Sequence, residues 1–316
     1  MNYLGIDLGG TNIACAVVSE MGEILGKASI PTGLPCAAEV IADRIAECCR
    51  LAAEKAGISM TEIEAAGIGA PGIADSKTGE VVYSCNLGFS HTPLGSLVSE
   101  RLGMEVFVEN DANAAALGEY AAGCGRGYSS LVAITLGTGV GGGAVIDGKI
   151  LTGFNFAGGE MGHFVMVHNG ELCGCGRRGC FEAYCSATAL IRQTKKAMQA
   201  HPESSMWRKV PGIDRVDGRT SFDAMAEGDA AAAEVVSKYR EYLADGLTSI
   251  INIFQPEILC VGGGICNQGE VLLGPIREII DREDYARDCE KRTKLVRAEL
   301  GNDAGIIGAA MLPKYR

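Results

Sequence analysis

Between positions 160 and 182 the chain reads Glu160-Met-Gly-His163, then Cys173-Gly-Cys175, then Cys180-Phe-Glu182. His163, Cys173, Cys175 and Cys180 are four soft or borderline donors, the number that closes one tetrahedral zinc site. A zinc with four protein ligands keeps no position for a reactive water, so the metal is expected to be structural. It would shape a loop whose flanking carboxylates, Glu160 and Glu182, face something else. The competing reading is three incidental buried thiols, and Cys185 is a spare thiol nearby that could substitute as a ligand.

Two further stretches have the composition of phosphate cradles. In Asp7-Leu8-Gly9-Gly10-Thr11-Asn12, glycines let backbone N–H groups approach phosphate oxygens, and Thr11 adds a hydroxyl donor. Asp7 cannot bind phosphate directly but can hold hydrated Mg²⁺. The alternative is a plain β-turn with Asp as a turn residue. Gly137-Thr138-Gly139-Val140-Gly141-Gly142-Gly143 is the second loop. No Gly-Lys-Ser/Thr follows it, and a strand rather than a helix comes next, so it is neither a Walker nor a Rossmann loop. A third glycine run, Gly262-Gly263-Gly264, would suit a nucleoside lying against backbone, or would serve as a simple strand-to-helix turn.

Asp111 stands where a strand gives way to a helix. It reads either as an N-cap or as a catalytic base at the carboxyl end of a strand, where α/β sites gather. The preceding Asn110, an amide suited to ligands, inclines the reading toward function.

The elements that must position these groups repeat. Leu4 to Asn12, Ile13 to Val18 and Glu23 to Ile30 read as a β-meander through glycine turns. Ser130–Leu136, Val140–Ile146 and Lys149–Leu151 repeat the pattern, which suggests duplication of one α/β unit, two chance hairpins being the alternative. Helical spacing of Ile41, Ile45, Cys48 and Ala52 predicts a helix over 37–56 closed by Gly57. Glu105–Glu109 reads as a strand, 112–120 and 230–254 as helices, Ile258–Val261 as a strand and 303–312 as a small-residue helix. The segment 199–218, with the only tryptophan, Trp207, reads as a surface excursion.

Composition narrows the partners. A net charge of −11 makes the chain a poor general binder of nucleic acid or anionic membrane, so an anionic ligand needs backbone N–H groups or a divalent metal. No apolar run approaches the ~18 residues of a membrane span, and no leader peptide is read at the start. Thirteen cysteines, several in apolar helical patterns, point to a reducing cytoplasm.

Taken together, Asp7-Leu-Gly-Gly-Thr11, Ala70-Pro71-Gly72, Asn86-Leu87-Gly88, Glu109-Asn110-Asp111, Leu136-Gly-Thr-Gly-Val-Gly-Gly-Gly143, Glu160-Met-Gly-His163 and Cys173-Gly-Cys-Gly-Arg-Arg-Gly-Cys-Phe-Glu182 resemble the ROK family (repressors, open reading frames and kinases). More narrowly, the chain resembles the bacterial sugar kinases of that family that act on glucose. The resemblance runs nearly end to end.

It implies a duplicated actin-like, hexokinase-like (ribonuclease H-like) α/β fold of two domains with a central cleft. The smaller N-terminal domain would take 1–118 plus about 300–316, and the larger C-terminal domain 119–299 with the zinc loop. It further implies that Gly72, Asn86, Asn110, Asp111, Glu160, His163 and Glu182 bind the sugar, with Asp111 as general base. Asp7, Gly9, Gly10, Thr11, Asn12, Gly137, Thr138, Gly139, Gly262, Gly263 and Gly264 would serve ATP and Mg²⁺. His163 would bind structural Zn²⁺ through one ring nitrogen and face the sugar with the other, an arrangement in which the metal fixes the ring.

The expected reaction is transfer of the γ-phosphoryl of Mg·ATP to the 6-hydroxyl of glucose, in a homodimer or tetramer. N-acetylmannosamine, N-acetylglucosamine, fructose and allose are the alternative substrates, because Asn86-Leu87-Gly88-Phe89 stands where many members carry Asn-Leu-Pro-Gly-Trp. A non-catalytic sugar sensor is a further reading, although the first loop begins within ten residues of the start and leaves no room ahead of it for a DNA-binding helix-turn-helix.

Overall fold

The computed structural model describes residues 1–315 of the 316. The described chain divides into two compact units. One holds 1–133, 142–159 and the segment from Ala298 onward; the other holds 134–141 and 160–297.

The first unit opens with β1 (Asn2–Leu8), β2 (Asn12–Ser19) and β3 (Ile24–Pro31), joined as an antiparallel meander. Helix α1 (Ala38–Ala56) follows, with Ile41, Ile45, Cys48, Cys49 and Ala52 buried along one face. It ends at Gly57 with φ 68°, the left-handed conformation that glycine adopts at no Cβ cost. Next come β4 (Ile63–Ala70), β5 (Ile73–Asp75), β6 (Glu80–Ser84), β7 (Phe89–Thr92), α2 (Leu94–Leu102), β8 (Val106–Asn110) and α3 (Asp111–Ala122). The main sheet has the order β3-β2-β1-β4-β8, in which β4 and β8 run parallel to β1. A small antiparallel sheet, β5-β6-β7, stands apart. Parallel pairing brings the carboxyl ends of β1, β4 and β8 together, and with them Asp7, Ala70 and Asn110.

A second meander follows: β9 (Ser130–Leu136), β10 (Val140–Ile146) and β11 (Lys149–Ile150). Then come α4 (Glu182–Cys185), α5 (Ala187–Ala200), α6 (Thr220–Ala226), α7 (Ala230–Phe254), β12 (Ile258–Gly262), α8 (Glu270–Glu283), β13 (Lys294–Arg297) and α9 (Ala304–Met311). The sheet order β11-β10-β9-β12-β13 repeats that of the first sheet, with β12 and β13 parallel. The duplication read from the two meanders therefore extends to whole sheets.

The tail returns to the first unit. Glu119, 2% exposed, accepts hydrogen bonds from Leu300 N (2.8 Å) and Glu299 N (3.1 Å). Small residues then let α9 lie against the sheet and α3. A Cβ on Gly5 would stand 1.9 Å from Ile306 O, and one on Gly308 would stand 1.6 Å from Ala114 O.

In the second unit, α7 buries Tyr239 completely, and its hydroxyl donates to Cys185 O at 2.7 Å. The segment 199–218 is more than the surface excursion expected. Met198, Met206, Val216, Ala224 and Ala232 form a small core beneath it, and Trp207 Nε1 donates to Met198 O at 2.9 Å. Asp229 fastens this core to α7, accepting from Ala232 N at the helix start and from Ser204 Oγ. Among the described residues, no helix is long and apolar enough to cross a membrane.

Candidate functional site

In the first unit, the structure decides how the β8–α3 junction is built. The cap of α3 is Asn110, whose Oδ1 accepts from Ala112 N (2.9 Å) and Asn113 N (3.1 Å). Asp111 is the first helical residue, so its carboxylate is not consumed as the cap; it accepts from Ala112 N at 2.9 Å. The N-cap reading of Asp111 is thereby replaced by a capping Asn110. Asn110 also donates through Nδ2 to Gly72 O at 2.9 Å. Gly72 has φ 107°, and a Cβ there would meet Tyr83 O at 2.1 Å, so this contact needs glycine.

Asp111 and Asp7 sit near one another. Burial is the chief cause pushing the Asp7 carboxyl above its ordinary range, and the charge of Asp111 adds to it, while Lys27 pulls it back. Burial likewise raises Asp111, against backbone N–H groups and the Asn110 amide, which favour the anion. Two adjacent carboxylates offer hard oxygens of the kind Mg²⁺ takes one or two of beside substrate phosphates. The donor set fits that ion.

The loop Gly9–Asn12 lies beside Asp7. Gly9 N donates to Asn12 O (2.9 Å), Thr32 Oγ1 to Gly9 O (2.6 Å) and Thr32 N to Thr11 O (2.8 Å). Gly10, Thr11 and Asn12 are exposed, and a Cβ on Gly10 would come within 3.9 Å of Asn86 O. Asn86 is itself exposed, on a turn anchored by buried Leu87. The first unit thus gathers Asp7, the first glycine loop, Gly72, Asn86, Asn110 and Asp111 at one end of its sheet.

Sequence reasoning missed what holds this end. Glu109, 2% exposed, accepts from Asn110 N (2.9 Å) and from the equally buried Asn113 Nδ2 (3.0 Å) through one oxygen. Burial raises its carboxyl too. Fully buried Thr32 was also missed; nothing in spacing marks a threonine 21 positions beyond Thr11 as its partner.

The second unit holds the remaining residues. The donor atoms of His163, Cys173, Cys175 and Cys180 lie within 4.8 Å of one another. Cys175 Sγ and Cys180 Sγ are 3.7 Å apart, as are Cys173 Sγ and His163 Nδ1. A tetrahedron with zinc–sulfur bonds of ~2.3 Å has edges of about 3.8 Å, so the four donors fit zinc. Nδ1 is the ring nitrogen turned to the cluster, which leaves Nε2 for another partner.

Fully buried Phe181 stacks on Phe164 (5.2 Å between centroids) and occupies the space that Gly246 of α7 leaves open. This pins the residues between Cys180 and Glu182 to the core. Glu182 Oε2 accepts from Val140 N at 3.0 Å, and Oε1 from the Cys173 thiol at 3.2 Å. Glu160 is exposed and precedes the single turn that carries His163.

The second and third glycine runs meet in this unit. A Cβ on Gly263 (φ 93°) would stand 2.2 Å from Leu136 O, at the end of the strand leading into Gly137. Gly137 O accepts from Ala187 N (2.8 Å) and Thr138 O from Thr188 Oγ1 (2.8 Å), so the start of α5 fixes the loop. Thr138, Gly263 and Gly264 remain exposed.

The sequence pattern of the ROK family matches residues 3–316. The chain is 40% identical over 318 residues to a glucokinase of Thermotoga maritima, covering 100% of this chain and 98% of that protein. Among solved structures, a ROK family glucokinase from Streptomyces griseus in complex with glucose and AMPPNP is similar at TM-score 0.81 and 38% identity, over 99% of both chains. A ROK hexokinase from Thermus thermophilus is similar at TM-score 0.83 and 35% identity, over 98% of this chain and 97% of that one.

Proposed function

This chain belongs to the ROK family, and from that premise we propose that it is an ATP-dependent kinase that phosphorylates the 6-hydroxyl of glucose. The observation that carries the reading is the junction at 110–111: Asn110 caps the helix, so the Asp111 carboxylate beside it is not spent as the cap. Relatives named glucokinase, and a similar structure that holds glucose with AMPPNP, supply the substrate and donor classes.

In this reading Asn86, Asn110, Gly72, Glu160, Glu182 and His163 Nε2 bind the sugar. Asp111 accepts the proton of the 6-hydroxyl as its oxygen attacks the γ-phosphorus; the new P–O bond forms as the bond to ADP breaks. The backbone turns at Gly9, Gly10, Gly137 and Gly139, with the hydroxyls of Thr11 and Thr138, border the phosphates, while Asn12 lies beside the first loop; the N–H groups of Gly9 and Gly137 close those turns on Asn12 O and Gly139 O. Gly262, Gly263 and Gly264 border the nucleoside. Asp7 would hold Mg²⁺, which would offset charge on the phosphates. Most of the catalysis is positioning, since phosphoryl transfer asks little covalent chemistry of the protein.

His163, Cys173, Cys175 and Cys180 would hold a zinc that would fix the His163 ring. Zinc loading would require the Cys173 proton to leave, which would open Glu182 Oε1 to a sugar hydroxyl. The proposal extends to two domains, 1–118 with 300–316 and 119–299, and to a homodimer in the cytoplasm. All thirteen cysteines are free thiols, in keeping with a reducing compartment.

ADP release on a panel of glucose, fructose, allose, N-acetylglucosamine and N-acetylmannosamine tests the reading. Glucose is expected to give the highest kcat/KM. Preference for an acetylated hexosamine would overturn the substrate, and no ADP release with any sugar would overturn the kinase.

A further inference from the structure

Away from the residues discussed so far, α5 and α7 border a cavity of about 330 Å³, within the range of small-ligand pockets. On α5 its lining includes Arg192, Gln193 and Lys196; on α7 it includes Glu234, Lys238 and Tyr242, each set at helical spacing. Glu171, Tyr184 and His201 complete the polar lining, and alanines of both helices with Val235 supply apolar surface. The rings of Tyr184 and Tyr242 are 4.7 Å apart.

In a chain of net charge −11, three permanent cations on one cavity are a local reversal. Lys196 and Lys238 are exposed and take part in no ion pair among the described residues. Lysine and arginine suit a phosphate, two carboxylates suit hydroxyls, and tyrosine rings suit the flat face of a pyranose. That combination describes a sugar monophosphate better than it describes inorganic phosphate or an uncharged sugar.

The cavity wall is also wired to the carboxylate proposed to bind substrate. Arg192 Nη2 donates to Ala183 O (2.5 Å), Gln193 Nε2 to Tyr184 O (2.9 Å), and the Tyr184 hydroxyl accepts from Glu171 N (2.9 Å). Ala183 and Tyr184 belong to α4, the four-residue helix that begins at Glu182. A phosphate that recruits the Arg192 guanidinium competes with Ala183 O for it and loosens α4.

We infer that this cavity is a regulatory site for a hexose monophosphate, the product class of the proposed reaction, and that filling it weakens sugar binding through Glu182. The inference rests on the kinase reading for its ligand.

The test is calorimetric titration of glucose 6-phosphate into the zinc-loaded full chain under saturating glucose, which occupies the substrate subsite. Wild type is expected to bind, and more weakly than in the absence of glucose, because the coupling to the sugar site is reciprocal; equal affinity with and without glucose would overturn the coupling. Lys196→Glu/Lys238→Glu is expected to bind at least about tenfold more weakly, with kcat/KM for glucose unchanged when no product is added. Inorganic phosphate is expected to bind more weakly than the sugar phosphate. Absence of binding under saturating glucose, equal binding by the double variant, or equal affinity for inorganic phosphate would each overturn the inference. Failure of the kinase reading shows separately, as absence of glucose-dependent ADP release in both proteins.

Discussion

At the scale of single residues, the proposed base and its support make opposite demands on stability. Asp111 accepts from Ala112 N, and burial raises its carboxyl above the ordinary range. A raised native value means that the folded state prefers the protonated form. That contribution is present below the unfolded value and is lost as pH rises through the native one. Asp111→Asn is therefore expected to melt higher than wild type at neutral pH. The gap in Tm should open from about pH 3.9 upward and level off above the native value. Turnover of the variant should fall by orders of magnitude while calorimetry still detects glucose; near-normal turnover would remove the base assignment. Glu109 offers the reverse contrast. Glu109→Gln keeps an acceptor for Asn110 N and Asn113 Nδ2 and sheds a buried charge, so activity should hold and Tm at neutral pH should not fall. Glu109→Ala strands the buried Asn113 amide, at a cost of about 1–3 kcal/mol in thermal or urea unfolding.

Among elements, the loop 163–182 and the tail helix each depend on one close contact. Four donors within 4.8 Å of one another predict that Cys175→Ser purifies with less than one zinc per chain. Its KM for sugar should rise more than its KM for ATP, since His163 and Glu182 border the metal while the loop at Gly137 is tied to α5. A metal-free variant with unchanged sugar KM would contradict a structural role for the ion. The packing of α9 on α3 is a matter of steric fit. Gly308→Ala places a methyl 1.6 Å from Ala114 O, and overpacking of this kind costs roughly 1–3 kcal/mol or more. Thermal melting of the variant should fall accordingly.

For the whole molecule, two sheets of identical order present paired glycine turns, one at the end of β1 and one at the end of β9. A ligand that binds only the folded chain stabilises it by mass action. Glucose at 100 times its Kd should add about 2.7 kcal/mol, visible as a rise in Tm, and a sugar that is not a substrate should add nothing. The acidic charge of −11 predicts no retention on nucleic acid, which a filter-binding assay at low salt checks.

What the amino-acid order determined by itself was local. Period-2 and period-3.6 patterning placed both meanders, α1 and α7, because burial of one face is written in residue spacing. The zinc donors were legible because four soft ligands within eighteen positions have few other uses. Asp111 was legible as a strand-end acid, but whether it capped the helix was not: adjacent Asn and Asp both suit that position, and only backbone torsions assign it to Asn110. The support of the site was out of reach. Thr32 under the first loop, Glu119 gripping the tail and the cavity between α5 and α7 join residues far apart in the chain. Such contacts depend on which surfaces pack together, and no local period records that choice.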